Sequence, residues 1–367
     1  MGPFVENSRY RAVVVGDIFV SPDTMERALG GSSLGVKEIK KLFWGPEDKD
    51  LFAKRQINIE RNGPDAEAYA DGLDEAIGDA EVLMVHFCPV PEKLIAKAKN
   101  LKMILTSRGG LENIDVKSAS KRNIPVVNVI RNAEPVADFA LGLILDVTRN
   151  ITASCRRLFE KAEWAKTFPN SPYVTTLNSL TVGFVGLGNV GIALATRLHA
   201  LGVPMIGFDD YVSAERLEKN GLGAIEMVST MEEVFERADL ITVHLRLTDE
   251  NAGCVNKSCF GRMKKGAYFV NTARGGLVNE TDLIHALEQH SIAGAALDVF
   301  EKEPLPADSR LLTLDNVLIT SHIAGMTVDA IPLSPFMLTS AVDKIIGKGI
   351  TERIVNYSEI KGEFNRQ

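Results

Sequence analysis

The chain has 367 residues, 45% hydrophobic and 24% charged, which excludes a disordered, collagen-like or coiled-coil protein. Its length predicts two domains at the usual ~150 residues each. A net charge of -7 argues against a general nucleic-acid binder, but a few local arginines can still hold an anionic substrate. In chain order, short β-branched runs alternate with helical patterns, the signature of parallel sheets wound by helices. Strands are predicted over residues 12–15, 57–59, 82–85, 103–105 and 126–129, with a helix over 91–99 among them. A long helical region, 134 to about 166, comes next. Its run Phe139, Leu141, Leu143, Ile144 and Leu145 is apolar on nearly all sides, as in a helix buried between domains or subunits. A second series of strands covers 181–185, 205–208, 240–245, 268–271, 295–299 and 317–320, and a last helix runs from about 329 to 346. Pro332 and Pro335 leave the start of that helix open. The fold class is α/β, with two doubly wound parallel sheets.

Cys88, Cys155, Cys254 and Cys259 are too scattered for a disulfide scaffold, and no ligand pair accompanies them, so reduced thiols and no metal site are expected. The first ten residues lack the apolar core of a signal peptide. The most apolar later run, 135–147, is interrupted by Asp138 and Asp146 and is too short to span a bilayer. The expectation is a soluble, cytoplasmic protein with no membrane partner.

The clearest motif is Gly186-Leu187-Gly188-Asn189-Val190-Gly191. A predicted strand leads into it and a helix leaves it, with Val190, Leu194, Leu198 and Leu201 at core-facing spacing. Glycines there permit a tight turn and let backbone amides approach a pyrophosphate at the helix N-terminus. About 20 residues on, a second strand ends in Phe208-Asp209-Asp210. Asp209 would accept hydrogen bonds from ribose hydroxyls and repel a 2′-phosphate, which favours NAD over NADP. Asp210 reads as its solvated neighbour.

Three later segments each bring a reactive residue to the C-terminal end of a strand, the edge where open parallel sheets bind ligands. They are Asn271-Thr272-Ala273-Arg274-Gly275-Gly276, Asp298-Val299-Phe300-Glu301-Lys302-Glu303-Pro304 and Thr320-Ser321-His322-Ile323-Ala324-Gly325. Arg274, Glu303 and His322 together suit reduction of a 2-oxo acid. A planar guanidinium holds a carboxylate and polarises the adjacent carbonyl. An imidazole gives that carbonyl its proton as a nicotinamide delivers hydride. A carboxylate beside the imidazole orients it, and Glu303 is placed for that role.

With these motifs in view, the chain resembles the NAD-dependent D-isomer-specific 2-hydroxyacid dehydrogenases, from about residue 13 to 356. The resemblance implies a Rossmann NAD-binding domain, residues 131–325, inserted in a flavodoxin-like substrate domain, residues 1–130 and 326–367. It implies catalytic Arg274, Glu303 and His322, and a ribose-binding Asp209. Asp298 would contact the nicotinamide carboxamide. Further cofactor contacts fall on Gly186, Gly188, Asn189, Val190, Gly191, Leu245, Thr272, Ala273, Ala324 and Gly325. It also implies a homodimer formed through the cofactor domains.

The stretch Thr106-Ser107-Arg108-Gly109-Gly110-Leu111-Glu112-Asn113-Ile114-Asp115 resembles the family loop whose backbone binds the substrate carboxylate. That makes Arg108, Gly109, Gly110 and Arg274 the substrate-binding candidates. Arg108, where many members have a small residue, either pairs with a phosphate or second carboxylate or salt-bridges across the loop. Gly294-Ala295-Ala296-Leu297-Asp298-Val299-Phe300 and Arg131-Asn132-Ala133 are most similar to the phosphoglycerate dehydrogenase branch. His86 and Arg246 depart from the family pattern, which has Arg and Pro there, and Arg246 would relax selectivity against NADP. His244 reads as structural. The expected activity is hydride transfer between NAD(H) and a small D-2-hydroxy or 2-oxo acid, with a 3-phosphoglycerate-like substrate among the candidates. The alternatives are a glyoxylate/hydroxypyruvate reductase, a phosphite dehydrogenase, or an NADH-sensing binding protein of low turnover. Glu303 argues against formate dehydrogenase, which has Gln there.

Overall fold

A computed structural model describes residues 4, 5 and 9–364, so the reading of the first ten residues lies partly outside the described ones. Among these, the backbone forms two all-parallel sheets in two compact units, Met1–Arg131 with Thr327–Gln367 and Asn132–Met326.

The first unit is built on β1 (Tyr10–Gly16), β2 (Val36–Phe43), β3 (Val82–Val85), β4 (Met103–Thr106) and β5 (Val126–Asn128), in the order β2-β1-β3-β4-β5. This is the flavodoxin-like order, with its topological switch point between β1 and β3. Strands β3, β4 and β5 are buried along their whole length, which explains their continuous apolar runs. The C-terminal part of the chain returns to this sheet. Leu338, Val342 and Ile345 of the helix Ala330–Lys348 share a core with Val14, Met84 and Leu105. Pro335 lies inside that helix and cannot donate to the Ile331 carbonyl; the Ser334 hydroxyl takes that acceptor instead, at 2.6 Å.

The second unit contains β6 (Val182–Val185), β7 (Met205–Phe208), β8 (Glu226–Met227), β9 (Leu240–Val243), β10 (Tyr268–Asn271), β11 (Gly294–Leu297) and β12 (Val317–Ile319). Their order is β12-β11-β10-β9-β6-β7-β8, a Rossmann arrangement extended at one edge, whose switch point falls between β6 and β9.

Two sequence expectations are corrected. Residues 57–59 are not a strand but part of the helix Lys49–Asn62, started by the Asp48 carboxylate on the Leu51 amide and ended at Gly63. The second strand is β2, which the sequence reading passed over. The region from 134 to about 166 is two helices, Ala133–Arg149 and Ile151–Lys161, separated where Asn150 adopts a left-handed conformation, φ 59°.

Candidate active site

The glycine turn sits at the second unit's switch point. Gly186 has φ 97°, a conformation that side-chain-bearing residues rarely adopt, and a Cβ there would fall 2.9 Å from the His244 carbonyl carbon. A Cβ on Gly191 would meet the Gly186 carbonyl oxygen at 2.4 Å, so only glycine lets the helix Asn189–Ala200 begin this close to the turn. Gly188, the residue before that helix, has open space beside it. The result is a cradle of unobstructed backbone at a helix start, which fits a pyrophosphate.

Asp209 follows β7 and binds the turn directly. Its Oδ2 accepts from the Leu187 amide at 2.6 Å, and its Oδ1 accepts from the Tyr211 and Val212 amides at 2.8 Å each. Asp210 is exposed, as the sequence suggested. Asn189 Oδ1 accepts from Arg216 Nη2 at 3.1 Å, a contact the spacing did not reveal. Val190 is half-buried, and Leu245 packs against the core of the unit. His244 shares a hydrogen bond with the Thr242 hydroxyl at 2.9 Å, and burial pushes its pKa down to about 4. It is a neutral structural histidine at neutral pH.

The loops after β10, β11 and β12 carry the reactive groups. His322 Nδ1 lies 2.7 Å from Glu303 Oε2, and Glu303 Oε1 accepts from the Phe300 amide at 3.0 Å. The histidine loop hangs on Asp298, which is fully buried. Asp298 Oδ1 accepts from the Thr320 hydroxyl at 2.6 Å and the Ile323 amide at 3.0 Å, and Oδ2 accepts from the Ala324 amide at 2.9 Å. A carboxylate offers about four acceptor positions, so one is left for another donor. His322 itself has φ 56°, and its side chain remains 48% exposed.

Arg274 is exposed, with Nη1 donating to its neighbour's Ala273 carbonyl at 2.7 Å. Its backbone is fixed by Asn271, whose amide donates to the Arg274 carbonyl at 3.1 Å and accepts from the Ala273 amide at 2.9 Å. The next residue, Gly275, is pressed against the loop that leads to Glu303: a Cβ would lie 1.9 Å from the Phe300 carbonyl. Thr272 and Ala324 are buried, and Gly325 lies against Val136 and Asn132. The second unit thus gathers Arg274, Glu303 and His322 on three neighbouring loops at one sheet edge.

The glycine loop of the first unit follows β4. Arg108 is buried, with Nη2 3.3 Å from both Glu60 Oε1 and Glu112 Oε2 and its guanidinium 4.2 Å over the Phe87 ring. Of the two roles open to Arg108, this geometry displays the bridge across the loop. Gly110 leaves room for that bridge, because a Cβ would sit 2.3 Å from Glu112 Oε2. The Gly109 carbonyl accepts from Asn128 Nδ2 at 3.0 Å. Among the described residues, no group of three His, Cys, Asp or Glu could hold a metal ion.

The family model for the D-isomer specific 2-hydroxyacid dehydrogenase NAD binding domain matches residues 141–324. The chain belongs to the D-isomer specific 2-hydroxyacid dehydrogenase family. Within the family it is 37% identical over 294 residues to D-3-phosphoglycerate dehydrogenase of Methanocaldococcus jannaschii, covering 79% of this chain and 54% of that one. It is 37% identical over 264 residues to glyoxylate reductase of Thermofilum pendens, covering 69% of this chain and 75% of the other. The chain spans about half the length of the curated D-3-phosphoglycerate dehydrogenases it matches. Among solved folds, the NAD-complexed D-isomer specific 2-hydroxyacid dehydrogenase of Lactobacillus delbrueckii ssp. bulgaricus has a TM-score of 0.69 at 22% identity, over 94% of this chain and 100% of that one. The two-sheet α/β fold is therefore the family's, and NAD is the cofactor of the matched domain.

Three features of this family member escaped the sequence reading. The Thr320–Asp298 bond and the Gly275–Phe300 contact join residues far apart in the chain, and no spacing signals them. The third is a polar chain at the switch point of the first unit, the buried Asp17 and His86 with the half-buried Arg131. The rule that ligands gather at such points would have drawn attention to Asp17 and His86, which end β1 and β3.

Proposed function

We propose that the protein is an NAD-dependent oxidoreductase acting on the CH–OH group of a small D-2-hydroxy acid, or in reverse on its 2-oxo acid. The carrying observation is the 2.7 Å His322–Glu303 pair on loops adjoining that of Arg274. In this reading the second unit binds NAD. Gly186, Gly188, Asn189, Val190 and Gly191 form the pyrophosphate cradle, and Asp209 takes the ribose. Leu245, Thr272, Ala273, Ala324 and Gly325 line the rest of the site, and the remaining acceptor position of Asp298 takes the carboxamide. The substrate-binding candidates of the first unit are Gly109 and Gly110, with Arg108 held across the same loop by Glu60 and Glu112. NAD supplies or accepts the hydride at C2 of the substrate.

The chain's own groups do the remaining work. Arg274 holds the substrate carboxylate and polarises the 2-oxo group through its planar fork. Glu303 engages Nδ1 of His322, which leaves Nε2 to pass a proton to the 2-oxo oxygen and to take it back in the other direction. The developing alkoxide is thus met by a proton donor and a guanidinium.

We also propose a homodimer formed through the second unit. Its helix Ile151–Lys161 has no buried residue, Phe159 on it is 87% exposed, and Trp164 just beyond it is 79% exposed, apolar surface that suits a second copy. The four cysteines are free thiols, which suits a cytoplasmic location. Among the described residues no helix is long and apolar enough to cross a membrane.

The test is an NADH-oxidation screen over glyoxylate, hydroxypyruvate, phosphohydroxypyruvate and 2-oxoglutarate. Reduction of at least one is expected. NADH binding without turnover on any of them would favour the sensor reading instead.

A further inference from the structure

Asp209 is more committed to the backbone than a ribose-binding carboxylate needs to be. Its two oxygens offer about four acceptor positions, and the Leu187, Tyr211 and Val212 amides take three of them. One position is left for the two neighbouring hydroxyls of an adenosine ribose. The preference for NAD that comes from bonding both hydroxyls at once is therefore incomplete here. What remains is the charge of Asp209, which disfavours a 2′-phosphate.

A guanidinium stands against that charge. Arg216 lies on the helix Ala214–Lys219, in the same βα unit as Asp209. Its Nη2 donates to Asn189 Oδ1 at 3.1 Å, so the side chain reaches across to the first residue of the helix Asn189–Ala200. Asp209 grips the Leu187 amide and Arg216 grips Asn189, so acid and guanidinium converge on one stretch of the glycine turn. Arg216 is exposed and, among the described residues, forms no ion pair. An arginine tied only to a neutral amide oxygen keeps its whole charge and most of its five N–H donors for an incoming oxyanion. Phosphate matches that fork better than any other group of a dinucleotide. The carboxylates next to it in sequence, Asp210 and Glu215, are exposed, where solvent and salt screen them.

We infer that Arg216 is a specificity residue of the cofactor site, which takes the 2′-phosphate of NADP(H), and that the chain binds both dinucleotides. Asn189 is its positioning residue. A ligand with a phosphate at the 2′ carbon exchanges one hydrogen bond to Asp209 for a charge-assisted pair with Arg216. The inference uses residues of the second unit alone and rests on the reading of that unit as the dinucleotide-binding one. It gives to Arg216 the relaxed selectivity that the sequence alone would give to Arg246, whose exposed side chain makes no hydrogen bond among the described residues.

The test measures binding to the full chain by isothermal titration calorimetry with no 2-oxo acid present, so it does not depend on turnover. The parent should bind NADPH within ~10-fold of NADH, the scale of one exchanged hydrogen bond. In Arg216→Met the ratio of the NADPH Kd to the NADH Kd should rise ~10–100-fold, the scale of one lost charge-assisted pair. Adenosine 2′,5′-bisphosphate should lose a similar factor relative to adenosine 5′-monophosphate, since the two differ only in the 2′-phosphate. Arg216→Lys should recover part of the ratio, and Asn189→Ala should raise it with Arg216 intact. Arg246→Met should leave the ratio near that of the parent; a rise there in place of Arg216→Met overturns the assignment. Stronger discrimination against NADPH in the parent, or a ratio unchanged in Arg216→Met, also overturns it. Equal losses of NADPH and NADH would place Arg216 on the pyrophosphate and overturn the 2′-phosphate assignment. A parent that binds neither dinucleotide would overturn the inference together with the reading of the second unit beneath it.

Discussion

The buried Asp298 carboxylate sets where His322 stands without hydrogen-bonding to it, by accepting the Thr320 hydroxyl and the Ile323 and Ala324 amides on both sides of it. The loop is thereby held so that His322 Nδ1 meets Glu303 Oε2 at 2.7 Å. Pairing and placement come from different residues, and so their loss should look different.

Replacing Glu303 by Gln keeps the shape of the pair but removes its charge. Turnover should fall by ~10–100-fold, less than the ~10²–10⁴-fold expected for His322→Gln, which removes the proton donor itself. NADH affinity, followed by fluorescence quenching, should stay within a few-fold of the parent in both. Equal turnover in parent and His322→Gln would refute the proton-transfer role.

Asp209→Asn keeps an acceptor for the Leu187, Tyr211 or Val212 amides while removing the charge that repels a 2′-phosphate. The NADPH to NADH ratio of kcat/KM should rise about 10-fold or more. A ratio that does not move would transfer control of cofactor choice to Arg246 or Arg216.

Gly275→Ala would drive a methyl to within 1.9 Å of the Phe300 carbonyl, and neither partner is a flexible side-chain end. Overpacking of this kind costs about 1–3 kcal/mol or more. A lower Tm is expected together with a lower kcat, because the displaced loops carry Arg274 and Glu303. A parent-like Tm would mean that the two loops part easily.

These loop contacts also show where sequence reading stops. The glycine turn, Asp209 and the Arg–Glu–His set were legible because each follows a short strand of one parallel sheet, whose ligand edge is known in advance. Strand β2 was missed for a physical reason. It pairs only with β1, and its Val36, Ile39 and Leu42 recur every third residue between exposed lysines and Glu38, a spacing that imitates a helix face. Such lysine-rich edge strands resist pairing with other chains. Residues 57–59 made the opposite error: Ile57 is exposed and Ile59 buried on one helix, Lys49–Asn62, whose apolar residues mimic a short strand. The Asp17–His86–Arg131 chain joins three strands' ends, and nothing local in the sequence couples them.

His244 gives a pH prediction. Its folded pKa, about 4, lies below the ordinary 6.5, so the unfolded chain binds the proton more readily. Its contribution to stability is complete above pH 6.5 and is lost as pH falls toward 4, by at most about 3 kcal/mol. Denaturant unfolding of parent and His244→Asn between those limits should converge with acidification. Parallel curves would contradict the assignment of a neutral, half-buried imidazole.

Hydride would pass between NAD and C2 of a 2-hydroxy acid, with His322 supplying the proton. The decisive experiment runs the reduction with NADH carrying deuterium at both C4 positions and resolves the 2-hydroxy acid product by chiral chromatography and mass spectrometry. One deuterium at C2, the D-enantiomer alone, and loss of product in His322→Gln are expected. Deuterium-free product, the L-enantiomer, or undiminished product from the variant would contradict that transfer.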